Sequence, residues 1–140
     1  MKNVRDILYE VNMLEVLGNT DLAIQDFTSD SRKVESDMMF VAITGSHVDG
    51  HDYMDQAIKA GARAILCERI PESVDDQVVY IRVLRSVKAY ARLCENWYDN
   101  PSKTLKLVGV TGTNGKTSIA SMLWELHTQL GHMCGLISTN

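Results

Sequence analysis

The chain has little cysteine, little basic charge and no long apolar run. Its three cysteines, Cys67, Cys94 and Cys134, are odd in number and widely spaced, and no Cys-x-x-Cys pair occurs. That pattern argues against both a disulfide framework and a zinc site. Cys67 ends an apolar run and Cys94 falls on a helical apolar stripe, so both are expected in a core. Fourteen Lys and Arg face eighteen Asp and Glu, a net charge of −4, and the densest basic stretch holds only Lys103 and Lys106. No basic stripe offers itself to a nucleic-acid backbone, so no nucleic-acid partner is expected. No window reaches the roughly 18 apolar residues of a membrane span. Met1–Glu10 is charged and amphipathic, without the apolar centre of a signal peptide. The expectation is a cytoplasmic protein, monomeric, with no membrane partner.

What is present is ordinary globular material. In 140 residues, 45% are hydrophobic and 23% charged, and a chain of that size can bury about 70% of its unfolded surface. Neither an internal repeat nor a low-complexity stretch is visible. Val4, Ile7, Leu8 and Val11 recur at helical spacing, and Gly18–Asp21 marks a turn. Leu22–Thr28 alternates as a strand does, and Met38–Ile43 is a continuous apolar run fit for a buried strand. Asp52–Ala60 reads as a helix ended by Gly61. Ala64–Cys67 and Val78–Val83 read as strands, and Val87, Tyr90, Ala91, Cys94, Trp97 and Tyr98 trace a helix that stops before Pro101. Strands alternating with helices predict an α/β layer structure. Pro101 pushes Asn100 out of helical geometry, so the boundary is drawn there: 1–100 as one domain, 101–140 as the start of another.

The second stretch has its own signature. Leu105–Thr111 reads as a strand, and Gly112-Thr113-Asn114-Gly115-Lys116-Thr117-Ser118 as a glycine turn. Ile119, Met122, Leu123, Leu126 and Leu130 mark a helix ended by Gly131, and Met133–Ser138 reads as a further strand. Strand, glycine turn, Lys-Thr and helix in that order form a phosphate-binding loop. Glycines at 112 and 115 let backbone N–H groups converge on phosphate oxygens, and the helix N-terminus adds partial positive charge. Lys116 is placed to meet the terminal phosphates and Thr117 to present its hydroxyl to Mg²⁺. The general pattern has a further glycine where this chain has Val110. The expected ligand is ATP with Mg²⁺. The 39 residues after Pro101 make one strand–loop–helix–strand unit, an incomplete piece of a parallel sheet.

Asp30-Ser31-Arg32, a buried strand, and a loop bounded by Gly45 and Gly50 form the other constellation. Two loops flanking one strand either meet as a concave site, with Ser31 and the amides of Ser46, His47 and Val48 as donors, or are ordinary connections. His47 and His51 lie four apart, the helical spacing of a metal pair, but Gly50 between them makes the segment a loop. His51 reads as a hydrogen-bonding loop residue.

Taken together, Asp30-Ser31-Arg32, Phe40-Val41-Ala42, Gly45, Asp49-Gly50-His51 and Gly61-Ala62-Arg63-Ala64 resemble the N-terminal domain of the Mur ligases. The run Leu107–Thr117 resembles most closely the MurE type within that family. The resemblance spans essentially the whole chain. It implies a small uridine-binding α/β domain followed by an ATP-binding domain of which only the first unit is present. It further implies an ATP-dependent ligase that joins a third amino acid to UDP-N-acetylmuramoyl-L-alanyl-D-glutamate through an acyl phosphate. Its partners are then the UDP-N-acetylmuramoyl dipeptide and an amino acid. By the same resemblance Ser29, Ser31, Ser46, His47 and Val48 hold the UDP end, and Gly112–Ser118 hold ATP. Ser36-Asp37 stands where the family commonly has Pro-Gly, Ser118 where threonine is common, and Ser138-Thr139-Asn140 where Ser/Gly-Thr-Val is usual. The family's metal-binding carboxylate, modified lysine and amino-acid pocket have no counterpart here, so no catalytic residue is assigned and the piece alone is expected to be inactive. A MurF-type ligase fragment and a non-catalytic UDP-precursor-binding module are the alternatives.

Overall fold

Three short apolar runs build the centre of the molecule: β5 (Met38–Val41), β6 (Ala62–Cys67) and β7 (Val79–Val83). A computed structural model describes residues 1–45 and 48–138. It divides into two units, Met1–Thr104 and Leu105–Asn140. In the first, β1 (Lys2–Asn3) leads into a single-turn helix α1 (Val4–Ile7). Then come β2 (Met13–Leu17), β3 (Ala23–Ile24), β4 (Phe27–Thr28) and β5, followed by α2 (Met54–Lys59), β6, β7 and α3 (Ser86–Trp97). The main sheet has the order β2-β7-β6-β5-β4. β4 to β7 run parallel, and β2 closes one edge antiparallel to β7. β1 and β3 form a separate two-residue ladder.

Period-two alternation sends the side chains of these strands to two cores. Met39, Val41, Ala64, Leu66, Val79, Ile81 and Val83 pack with Val4 and Ile7 of α1 and with Ala89 and Leu93 of α3. Phe40, Ala42, Ile65, Cys67 and Tyr80 pack with Met54 and Ala57 of α2. Both faces of the parallel ladder are thus covered, as such sheets require. Cys67 is buried and Cys94 packs against the first core, as expected for both. Trp97 also packs there, its ring 5.4 Å from Phe27 in an edge-to-face contact, whereas Tyr98 is exposed.

Three elements of the first unit differ from expectation. The opening helix was expected to run to Val11 and stops at Ile7. Glu10 takes a left-handed conformation (φ 57°), and the Asn96 amide claims the carbonyls of Ile7 and Tyr9 at 2.9 and 2.7 Å. Leu22–Thr28 is not one strand but two. β3 pairs with β1 and β4 with β5, and the Gln25 N–H between them donates to Asp37 O. β2 was not expected at all.

The second unit contains α4 (Lys116–Gln129) and no strand among its described residues. The expected strands at 105–111 and 133–138 form no ladder. The strand–loop–helix–strand expectation for this unit is therefore corrected to loop–helix. A strand exists only through hydrogen bonds to a neighbour, and the unit supplies none, whereas a helix closes its bonds internally. The end of α4 is as read from Gly131, in a Schellman arrangement. Gly131 (φ 83°) donates to Thr128 O and His132 N–H to His127 O, both at 3.0 Å.

Candidate binding sites for UDP and phosphate

Because β4, β5, β6 and β7 are parallel neighbours, the loops that follow them open at one edge of the sheet. In open α/β sheets ligands bind outside the carboxyl ends of the strands. Ser29 and Ser31 follow β4 directly, and Val48 lies on the loop after β5. Ser46 and His47, also expected there, lie outside the described residues. The parallel register, with Phe27 opposite Met39 and Thr28 opposite Phe40, brings Ser29, Ser31 and Val48 to the same edge. No hydrogen bond joins these two loops among the described residues.

Local chemistry shapes each loop. Asp30 caps a 3-10 turn over Ser31–Lys33: its carboxylate accepts from Arg32 N–H at 3.1 Å and takes the Arg32 guanidinium at both oxygens, 2.8 Å each. Those bonds from Arg32 hold the Asp30 carboxyl down at about 2. The turn leaves Ser31 at its first position, half-exposed. Ser29 lies beside Tyr90 of α3. Burial raises that phenol above its ordinary value, and a hydrogen bond with the Ser29 side chain works against the rise.

The loop after β5 folds back on its own stem. Gly50 N–H donates to Ile43 O at 2.9 Å, Gly45 N–H to Val48 O at 3.0 Å, and Thr44 pairs with Asp49. Val48 presents an exposed side chain. Beyond it stands a group of residues that sequence reasoning took only in part. His51 was read as a hydrogen-bonding loop residue. Its partners Asp49 and the Glu68 N–H, and the Arg69 and Ser86 that bond those two in turn, are not evident from the sequence, because Glu68 and Arg69 follow β6 and Ser86 opens α3. The one local signal is Asp-x-His, in which an aspartate can accept from the backbone two residues on. Glu68 also caps α3. Arg85, at the N-cap position, offers no side-chain bond, and the Glu68 carboxylate accepts from Ser86 N–H at 2.7 Å and its hydroxyl at 2.8 Å. The Ser86 amide bond is the main reason the Glu68 carboxyl is lowered.

In the second unit, Gly112–Ser118 makes the turn into α4. Gly112 (φ 152°) and Gly115 (φ 76°) hold conformations that a Cβ disfavours, and the space around both is open. Gly115 is the N-cap and brings no side chain to the first amides of the helix. Those N–H groups have no intrahelical partner and form an anion-binding end. Lys116 Nζ folds back to Gly112 O at 2.7 Å and Thr113 O at 3.4 Å, so its ammonium already lies over the loop. Asn114 sits in the turn, and Thr117 and Ser118 carry hydroxyls in the first turn of α4. This donor set fits a polyphosphate. For Mg²⁺ the hydroxyl expected to serve is that of Thr117, and no cluster of three His, Cys, Asp or Glu side chains occurs among the described residues.

Comparisons with known proteins agree on the family. The family profile "Mur ligase family, catalytic domain" matches residues 24–98. The UDP-N-acetylmuramoyl-L-alanyl-D-glutamate--2,6-diaminopimelate ligases of Parabacteroides distasonis and Cytophaga hutchinsonii are each 44% identical to this chain. The alignments run over 136 and 138 residues and cover 97% of this chain and 28% of each relative. The chain thus spans under a third of the length of these curated relatives. Among solved structures, MurF from Acinetobacter baumannii matches with a TM-score of 0.65 at 22% identity. That match covers 91% of this chain and 28% of that one, and it speaks for the fold alone. The MurF ligase from Thermotoga maritima in complex with ADP matches at 0.54 and 33% identity, covering 74% and 23%. No helix among the described residues is long and apolar enough to cross a membrane.

Proposed function

The chain belongs to the Mur ligase family, and we propose on that premise that it is part of an ATP-dependent ligase of peptidoglycan precursor synthesis. Residues 1–100 hold the UDP end of UDP-N-acetylmuramoyl-L-alanyl-D-glutamate, and residues 101–140 open the ATP-binding domain. The observation that carries this reading is the 44% identity to 2,6-diaminopimelate ligases over 97% of the chain. The names of those relatives make 2,6-diaminopimelate the amino acid expected to be joined.

The loop positions at the sheet edge and at the start of α4 support a division of labour. Ser29, Ser31 and Val48, with Ser46 and His47, bind the uridine diphosphate at the carboxyl edge of the sheet. Gly112 to Ser118 take the phosphates of ATP through loop amides and the end of α4. Lys116 moves from its loop carbonyls to the terminal phosphates, and Thr117 meets Mg²⁺. ATP, when bound, supplies the phosphoryl group that activates the precursor's terminal carboxylate. The chain's own contribution is to hold two anionic ligands by oriented amides and hydroxyls. The protein acts in the cytoplasm as a monomer.

Calorimetric titration tests the assignment. Saturable binding of UDP-N-acetylmuramoyl-L-alanyl-D-glutamate is expected, weakened about three- to tenfold in Ser31→Ala for one lost hydrogen bond. ATP binding should fall about ten- to hundredfold in Lys116→Ala, which removes a charged contact. A folded chain that binds neither ligand would sink the reading. The solved MurF structures favour a second reading, a ligase acting on a longer precursor. Tighter binding of the tripeptide precursor than of the dipeptide would support it.

A further inference from the structure

His51 is buried where the loop after β5 meets the end of β6, with only 4% of its side chain exposed. Its ring has two partners. Nε2 lies 2.9 Å from the Glu68 N–H, and a backbone N–H can only donate. Nε2 is therefore bare, and the neutral ring carries its proton on Nδ1. That proton points to Asp49 Oδ1 at 2.6 Å. The same oxygen accepts from the His51 backbone N–H at 3.0 Å, and the other oxygen takes Arg69 Nη2 at 2.6 Å. Asp49 is also the residue that closes the loop, through its pairing with Thr44. One imidazole thus bolts the closing residue of the β5 loop to the main chain at the end of β6. The Glu68 whose amide it engages caps α3, and α3 carries the Tyr90 that borders Ser29. The hydrogen bonds from Asp49 through His51 to the end of β6 thus tie the Val48 side of the edge to the sheet.

We propose that His51 is a positioning residue: its Nδ1–H tautomer clasps Asp49 to the end of β6 and so holds the Val48 side of the loop in place for the uridine diphosphate end of the precursor. The proposal rests on the substrate site put forward above. It gives His51 no contact with substrate and no part in chemistry. A histidine that merely satisfied a buried pocket would influence overall stability without a selective effect on one loop or one ligand.

The test combines a ligand-free measurement with binding. Ring ¹⁵N shifts of the unaltered chain should show the Nδ1–H tautomer; an Nε2–H ring would overturn the proposal, whatever any variant does. In His51→Ala, the amide resonances of Val48, Asp49 and Gly50 should shift while those of Ser29 to Lys33 stay, and unmoved loop resonances would also overturn it. Affinity for UDP-N-acetylmuramoyl-L-alanyl-D-glutamate should fall about tenfold in His51→Ala, with ATP affinity unchanged. His51→Asn keeps a donor toward Asp49 in the place of Nδ1 and should recover part of the loss. Asp49→Ala should match His51→Ala, and the double variant should be no worse than either, because the two act as one unit. Equal precursor affinity in the unaltered chain and a folded His51→Ala would refute the role. Absence of precursor binding by the unaltered chain would strike the site reading alone, and the clasp is then judged by tautomer and loop resonances.

Discussion

Val79–Val83 and Leu105–Thr111 look alike as sequence, and their fates in the molecule are opposite. Both are short apolar runs that follow a polar loop. In the first unit the run is a strand with Tyr80 and Ile81 at 1% and 0% exposure. In the second, Leu107 and Val108 stand 91% and 70% exposed and belong to no ladder. The difference lies in the neighbours. β7 has β6 on one side and β2 on the other, whereas the later run has no strand beside it among the described residues of its unit. α4 forms in the same surroundings, although none of its side chains is buried, since its bonds are local. Apolar pattern thus creates a demand for burial, and only a ladder of neighbours turns that demand into a strand.

The comparison can be broken most severely at the core. Phe40→Ala, at a side chain 1% exposed, should destabilise the first unit by about 3–5 kcal/mol, the range for large-to-small core changes. Leu107→Ala should stay within about 0.5 kcal/mol, as surface changes do. Urea denaturation of the two variants decides it, and equal losses would show that the second unit has a core after all. The glycines extend the contrast with a smaller effect. A Cβ on Gly61, where φ is 108°, would stand 2.8 Å from Ser36 Cα. Gly61→Ala should therefore cost about 1–3 kcal/mol through backbone strain and crowding. At Gly115 the nearest atom is 4.0 Å away, so Gly115→Ala meets no clash, only the left-handed penalty of about 1–2 kcal/mol. Its larger consequence should be weaker ATP binding. Melting curves paired with ATP titration would separate the two glycines, and an ATP affinity unchanged in Gly115→Ala would count against the phosphate loop.

Much of the first unit was legible in the sequence because its signals are local. Met38–Val41, Ala62–Cys67 and Val79–Val83 announce themselves as apolar runs, and Ser86–Trp97 by its stripe. β2 was not legible: all five of its residues are exposed, and it exists by pairing with a strand more than sixty positions later. The phosphate loop could be read because glycine, lysine and threonine sit within one turn of chain. Ser29, Ser31 and Val48 could be named from motif resemblance, but their common edge comes from the parallel order of the strands. The Asp49–His51–Glu68–Ser86 chain draws on three loops, and no stretch of sequence shows it whole.

The smallest expected effect sharpens the comparison through charge. The backbone N–H of His51, then its ring, with Arg69 adding its charge, holds the Asp49 carboxyl at about 2, against about 3.9 in an unfolded chain. A carboxyl depressed in the folded state lends stability that is fully present above the unfolded value and is lost as pH falls through the folded one. The window for Asp49 is therefore about pH 4 down to about 2, and Asp30, held at about 2 by Arg32, shares it. Asp49→Asn should remove its part of that slope, a change of less than about 1 kcal/mol in the range of solvent-screened pairs. The second unit has a single acidic side chain, Glu125. Lowering the pH across this window should move the amide resonances of Val48 and Gly50 and leave those of Lys116–Gln129 nearly still. If the α4 resonances moved first, the acid-sensitive contacts would lie in the second unit, and the assignment of the clasp as the acid-labile feature would fail.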